Sequence, residues 1–260
     1  MKINQPLIKK ILLQSDDLPS IEEVKETKSK AVLEFKTLEE EKQSNIKTRQ
    51  DDDMKRNIEQ LAEPGASAWL GCLPLKEYGF NLTKDEFHDA LALRYNRQVK
   101  NLPSKCPCEA EFTVTHALNC HRGGFVNARH DQIRNFECSL LKSVVQDVEC
   151  EPSLHPVLNK NGYQRTANLD DDARLDVRAR GFWREGQNAF FDVRITNADS
   201  DSQRNTSIKS VLRSHEMEKK RKYNRRIMEV EHGSFTPLVF TTSGVMVHEC
   251  SVSTKVLLRR

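Results

Sequence analysis

Two stretches with a side-chain period of two restrict this chain more than any other feature. In RLDVRAR, Leu175, Val177 and Ala179 alternate with Asp176, Arg178 and Arg180; in the second stretch Phe191, Val193 and Ile195 alternate with Asp192 and Arg194. That period belongs to β-strands with one apolar and one charged face. Gly181, Gly186 and Asn188 supply turn formers between them, so the two stretches are expected to form an antiparallel hairpin with a longish loop. Asp176 and Asp192 then project from the same face. Two adjacent carboxylates repel and raise each other's pKa until a cation neutralises them. Either a metal ion does so, or Arg174, Arg178, Arg180 and Arg194 do it across a solvated sheet face.

A chain of 260 residues, 37% of them hydrophobic, can form one domain with appendages or two small ones. No apolar run approaches the roughly 20 residues that span a bilayer. The N-terminal MKINQPLIKKILLQSDD has only a very short apolar stretch and no small-residue cleavage site, so an intracellular protein without a membrane partner is expected. Seven cysteines, an odd and clustered set, favour ligand chemistry over a disulfide framework. Cys72, Cys138, Cys150 and Cys250 lie in apolar contexts and read as small core residues.

Four segments follow. Residues 1–63 hold 12 Lys or Arg against 14 Asp or Glu with hardly any Gly or Pro, which reads as charged helix, in part disordered. The triplet Asp51, Asp52, Asp53 in it reads as solvated helix charge. Pro64 and Gly65 mark a boundary. Residues 64–102 form an amphipathic helical segment that reads as packing material, with a helix opened by the capping box of Thr83 and Glu86. Residues 103–125 carry C-x-C-x7-H-x3-C, formed by Cys106, Cys108, His116 and Cys120, with His121 as a competing ligand. Four soft or borderline ligands within 15 residues suit a tetrahedral structural zinc ion, whose binding can hold a loop too short to have a core.

Residues 126–260 predict a helix from about 127 to 145, a strand near 148–154, the hairpin, a basic helix over 207–229 and a buried strand over 236–242. The expected fold class is α/β (α+β), a mixed sheet flanked by helices. The basic helix carries Lys219, Lys220, Arg221 and Lys222 in succession, and duplex DNA rewards such density through counterion release.

The element order, with acids on the second and third strands, resembles the PD-(D/E)XK restriction-endonuclease-like fold. That resemblance implies that Asp176 and the Asp192-Val193-Arg194 triplet bind Mg2+ or Mn2+ and orient an attacking water. Leu175 stands where the family has Pro, and Arg194 stands where Lys is usual; a permanently protonated Arg is a poor proton acceptor. Glu151 or Glu137 would complete the metal shell.

Over roughly residues 66–250 a narrower resemblance exists. The CCHC knuckle, the dipeptide Arg129-His130, the acidic hairpin, and His215, Lys219, Lys222 and Tyr223 spaced as H-x3-K-x2-K-Y resemble the C-terminal region of site-specific non-LTR retrotransposon proteins. In those proteins a zinc knuckle and a restriction-like endonuclease nick target DNA for an attached reverse transcriptase. The resemblance implies a metal-dependent, nuclear DNA endonuclease, with RNA as a further partner and an upstream reverse transcriptase in a full-length relative. Lys219 or Lys222 would replace the lysine missing at Arg194, while Arg129, His130, His215, Lys220, Arg221 and Tyr223 would contact nucleic acid. No aromatic-x-D-D motif is present, so the chain reads as a fragment, a truncated copy or a descendant retaining the nuclease end. The other expectation is a decayed module that binds nucleic acid through knuckle and basic helix without cutting it.

Overall fold

The computed structural model describes residues 21–48 and 52–257. The N-terminal apolar stretch and Asp51 lie outside them. Two units divide the chain, Met1–Lys55 and Arg56–Arg260. In the first, helix α1 (Ile21–Thr48) opens with Glu22 and Glu23, acids that complement the positive end of the helix dipole. Val32, Leu33, Phe35 and Leu38 are exposed on it.

Helix α2 (Asp52–Ala62) runs across the division, and its second half belongs to the larger unit. Arg56 Nε lies 2.9 Å from Asp199 Oδ1 and its Nη1 donates to the Thr206 carbonyl at 2.9 Å. The buried Gln60 amide donates to both Asp199 oxygens at 2.6 and 2.7 Å, and its oxygen accepts from Ser243 at 2.8 Å. These contacts move the expected boundary at residues 63 and 64 back to Arg56. Helix α3 (Lys84–Arg94) begins with the predicted capping box, Thr83 and Glu86 satisfying each other's backbone N–H groups. The expectation that residues 64–102 are packing material is corrected: Leu70, Leu73, Leu75, Phe80, Leu82, Phe87, Leu93 and Tyr95 stay exposed.

A four-stranded mixed sheet forms the centre of the larger unit, in the order β1 (Val148–Cys150), β2 (Val177–Arg180), β3 (Asn188–Thr196), β4 (Ser234–Thr241). β1, β2 and β3 are antiparallel neighbours, and β4 joins β3 in parallel after helix α6 (Ile208–Glu229). Pro237 lacks an N–H, which an edge strand such as β4 tolerates. Before the sheet come the six-residue helix α4 (Val114–Asn119) and helix α5 (Phe125–Val144), which starts from Gly124 in the left-handed region. Helix α7 (His248–Leu257) follows β4.

Side chains of α5 and α7, among them Cys138, Leu141, Cys250 and Leu257, share one core cluster with Val177, Ala179, Phe191, Val193 and Leu238 of the sheet. A second cluster joins Tyr223 and Ile227 of α6 to Leu175, Phe190 and Phe235. Helices therefore cover both faces, and β3 is buried from Ala189 to Val193. The half-buried hairpin expected from alternation is thus corrected for β3, because a central strand between helices buries both of its faces.

Cys138 of α5 and Cys150 of β1 form a disulfide, correcting their expected role as separate core thiols. Arg226 of α6 is 1% exposed and donates to three carbonyls, those of Asn168, Asp170 and His155, at 2.9–3.0 Å. It ties the long β1–β2 connection to α6.

Candidate active site and metal centre

In the cysteine and histidine segment, the chain turns tightly after Cys106, whose carbonyl accepts from Glu109 and whose N–H donates to Ala110. Thr113 caps α4 by accepting from the His116 N–H at 3.0 Å, which sets the register that places His116 and Cys120 one turn apart. The ligand atoms of Cys106, Cys108, His116 and Cys120 all lie within 4.8 Å of one another. Zinc–sulfur bonds of about 2.3 Å in a tetrahedron put two sulfurs about 3.8 Å apart, and Cys106 Sγ and Cys120 Sγ are separated by 3.7 Å. Cys108 Sγ approaches His116 Nε2 to 3.2 Å. A Cβ on Gly123 would come within 3.3 Å of Cys106 Sγ and 3.1 Å of the Phe125 ring, so a glycine lets the chain close beneath the cysteine sulfurs. His121 stands outside this ligand group. The Cys3His cluster can bind a metal such as zinc.

The acid pair is built by strand register. Val177 faces Phe191 across β2 and β3; just beyond, the Asp176 N–H donates to the Phe191 carbonyl at 3.2 Å, and Asp176 lies close enough to Asp192 to raise its pKa. There β2 has ended, and the Val193 N–H donates to the Asp176 carboxylate Oδ2 at 2.5 Å. The side chain thereby replaces a ladder acceptor, which fixes its orientation. The carboxylates belong to residues only 9% and 5% exposed, so the solvated-face reading with arginine neutralisation fails. Arg178 pairs with Asp147 and Glu149 instead.

A lysine and a histidine reach the pair from opposite helices. Lys219 of α6 forms an ion pair with Asp192 Oδ2, and His130 Nε2 of α5 lies 3.3 Å from Asp176 Oδ2. Burial pushes the Asp192 carboxyl above the usual range; Lys219 opposes this and Asp176 reinforces it. Asp192 Oδ2 is buried, and the Lys219 ammonium is the one partner that reaches it among the described residues. Hydrogen bonding to Asp176 raises the His130 pKa, burial opposes it, and the charges of Asp176 and Asp131 add to the rise.

The remaining predicted residues divide sharply. Arg194 sits two residues along β3 from Asp192 but pairs with Glu218 at 2.9 Å, leaving the Asp192 contact to Lys219. Lys222 influences Asp192 only through its charge, and its Nζ lies 5.1 Å from the Tyr223 ring centroid. Arg221 is exposed. Lys220 is held by Glu216 and Glu249, an internal tie between α6 and α7. His215 is buried, its Nε2 2.9 Å from the Gln203 amide and 3.3 Å from Thr196 Oγ1. Tyr223 packs in the second core cluster. Burial corrects the expectation that His215 and Tyr223 touch nucleic acid. Arg129 donates to the Leu118 carbonyl at 3.4 Å, linking α5 to α4.

Neither suggested third acid joins the pair. Glu151 takes Arg134 at 2.7 Å. Glu137 is buried on α5 close enough to Cys250 to raise that thiol's pKa, after burial itself. Among the described residues the only group of three or more metal-ligating side chains is the cysteine and histidine cluster. Sequence reasoning did not foresee the His130–Asp176 contact, the Arg226 clamp or the Arg56 and Gln60 ties, all between residues far apart in sequence with no local signature. Among the described residues no helix is long and apolar enough to cross a membrane. No protein-family model matches this chain, and no curated protein matches it in sequence.

Proposed function

We propose that this chain is a metal-dependent DNA endonuclease of the PD-(D/E)XK kind, in which a zinc knuckle precedes the nuclease core and a retrotransposon target-site nuclease is the related activity. The observation that carries the reading is the meeting of Asp176 just before β2, Asp192 of β3 and Lys219 of α6 at one buried point. The antiparallel β1–β2–β3 ladder followed by a helix and a parallel β4 is the order of that fold and supports the assignment.

The residues fit a divalent cation. Asp176 and Asp192 are two buried carboxylates near each other with one lysine on Asp192, and burying carboxylates is costly unless cations accompany them. Magnesium or manganese held by Asp176 and Asp192 would supply a Lewis acid and lower the pKa of a bound water. Asp176 is oriented by the Val193 N–H, so the pair needs little rearrangement. Lys219 performs the role that lysine has in the family motif: its ammonium beside Asp192 can hold a nonbridging phosphate oxygen or the attacking water. Arg194 is engaged by Glu218 and contributes a guanidinium charge beside the pair. Arg221 and Lys222, one turn of α6 around, supply the phosphate contacts that give salt-dependent binding.

A second reading has its own support. The pair lacks a third acid among the described residues, which favours a decayed module that binds nucleic acid through the knuckle and α6. Incubation with supercoiled plasmid and Mg2+ or Mn2+ separates the two. Nicking establishes the enzyme; a salt-sensitive mobility shift without nicking establishes the binding module.

A further inference from the structure

The Arg129-His130 dipeptide stands at a junction. Its arginine reaches the Leu118 carbonyl of the knuckle helix, and its histidine reaches Asp176 at 3.3 Å. Around it the start of α5 is fixed by the Phe112–Phe125 edge contact, with centroids 5.8 Å apart, and by Gly123 against Cys106. The imidazole is therefore delivered to the acid pair by a helix whose first turns are anchored in the knuckle.

Asp176 Oδ2 accepts from the Val193 N–H at 2.5 Å and lies 3.3 Å from His130 Nε2. Among the described residues no hydrogen bond is made to Oδ1. His130 does not fall within a common ligand sphere with Asp176 and Asp192. A carboxylate held through one oxygen with the other left open is the arrangement that outer-sphere partners impose on metal ligands, and loss of such a partner typically weakens metal binding 10- to 100-fold.

We propose that His130 is a positioning residue of the acid pair: with the Val193 N–H it locks Asp176 Oδ2, so that Oδ1 is presented to a divalent cation. The proposal rests on the nuclease reading of the pair. It assigns His130 to the active site and not to the nucleic-acid contacts expected of the Arg-His dipeptide. The ring acts through Asp176 and does not touch the reacting phosphate.

The test uses the full chain with its zinc bound. Mn2+ is titrated against DNA-free protein, with free Mn2+ followed by electron paramagnetic resonance, for wild type, Asp192→Ala, His130→Ala and His130→Gln. Asp192→Ala is expected to abolish the site. His130→Ala is expected to weaken Mn2+ binding about tenfold and to raise the Mg2+ concentration for half-maximal nicking, with DNA affinity unchanged. His130→Gln, whose amide can donate from nearly the same place as Nε2, is expected to restore most of the loss. If Asp192→Ala loses Mn2+ but His130→Ala binds it like wild type, or if Gln and Ala are equally impaired, the positioning role is overturned while the nuclease reading survives. If His130→Ala weakens DNA binding and leaves Mn2+ affinity intact, His130 is a nucleic-acid contact and the proposal is overturned. If wild type and Asp192→Ala bind Mn2+ alike, the acid-pair reading itself fails and this proposal with it.

Discussion

Replacing Glu137 with Gln should stabilise the protein at high pH and leave its chemistry untouched. Glu137 lies buried on α5, and burial pushes its carboxyl from an ordinary 4.5 up to about 7. Among the described residues no cation pairs with it. Between pH 4.5 and 7 the folded chain holds a proton there that the unfolded chain releases, so stability falls as pH rises through that window and levels off above it. At about 1.4 kcal/mol for each tenfold change in proton affinity, the difference between 4.5 and about 7 corresponds to roughly 3 kcal/mol. Glutamine mimics the protonated acid and cannot ionise. Urea unfolding at pH 5 and pH 8 should therefore show Glu137→Gln close to wild type at pH 5 and more stable by roughly 2–3 kcal/mol at pH 8. Its nicking activity should be unchanged, because Glu137 is not brought to Asp176 and Asp192. Equal stability changes at both pH values would refute the buried-acid account. Loss of nicking in a stably folded variant would return Glu137 to the metal shell.

Three further outcomes are expected. Protein purified without chelator should carry one zinc per chain, and Cys120→Ala should reduce that stoichiometry sharply in elemental analysis, since three ligands hold zinc less well than four. Cys138→Ser should lower unfolding free energy by about 3 kcal/mol relative to oxidised wild type, and reductant should bring wild type to the same level, as closure of a short loop predicts. In titrations of duplex DNA against salt, Arg221→Ala and Lys222→Ala should each reduce the slope of log K by about 0.9, whereas Lys220→Ala, already tied to Glu216 and Glu249, should leave it unchanged.

What was legible in the sequence was local. The alternation around Asp176 and Asp192 gives strand, register and face together, because a period of two fixes all three. The C-x-C-x7-H-x3-C spacing places four ligands on one turn and one short helix. Thr83 and Glu86 announced α3 through bonds that span three residues. What was not legible depends on elements brought together by the fold. Alternation does not say that helices lie on both faces of β3, so Asp192 read as half-solvated although it is 5% exposed. Pairing of Cys138 with Cys150 requires α5 to pack beside β1. His215 and Tyr223 belong to a basic helix, but its inward face buries them, and net charge along a helix does not reveal which side faces the core.

The central claim is that Asp176, Asp192 and Lys219 form a nuclease centre. Its most direct test is nicking of supercoiled plasmid in Mg2+ or Mn2+ by wild type and Asp192→Ala, with DNA affinity measured in parallel. Wild type is expected to nick, and Asp192→Ala is expected not to while binding DNA at least as tightly, because the substitution removes a proposed metal ligand and a negative charge together. Wild-type protein that shifts DNA but never nicks it, or Asp192→Ala protein that nicks at the wild-type rate, would contradict it.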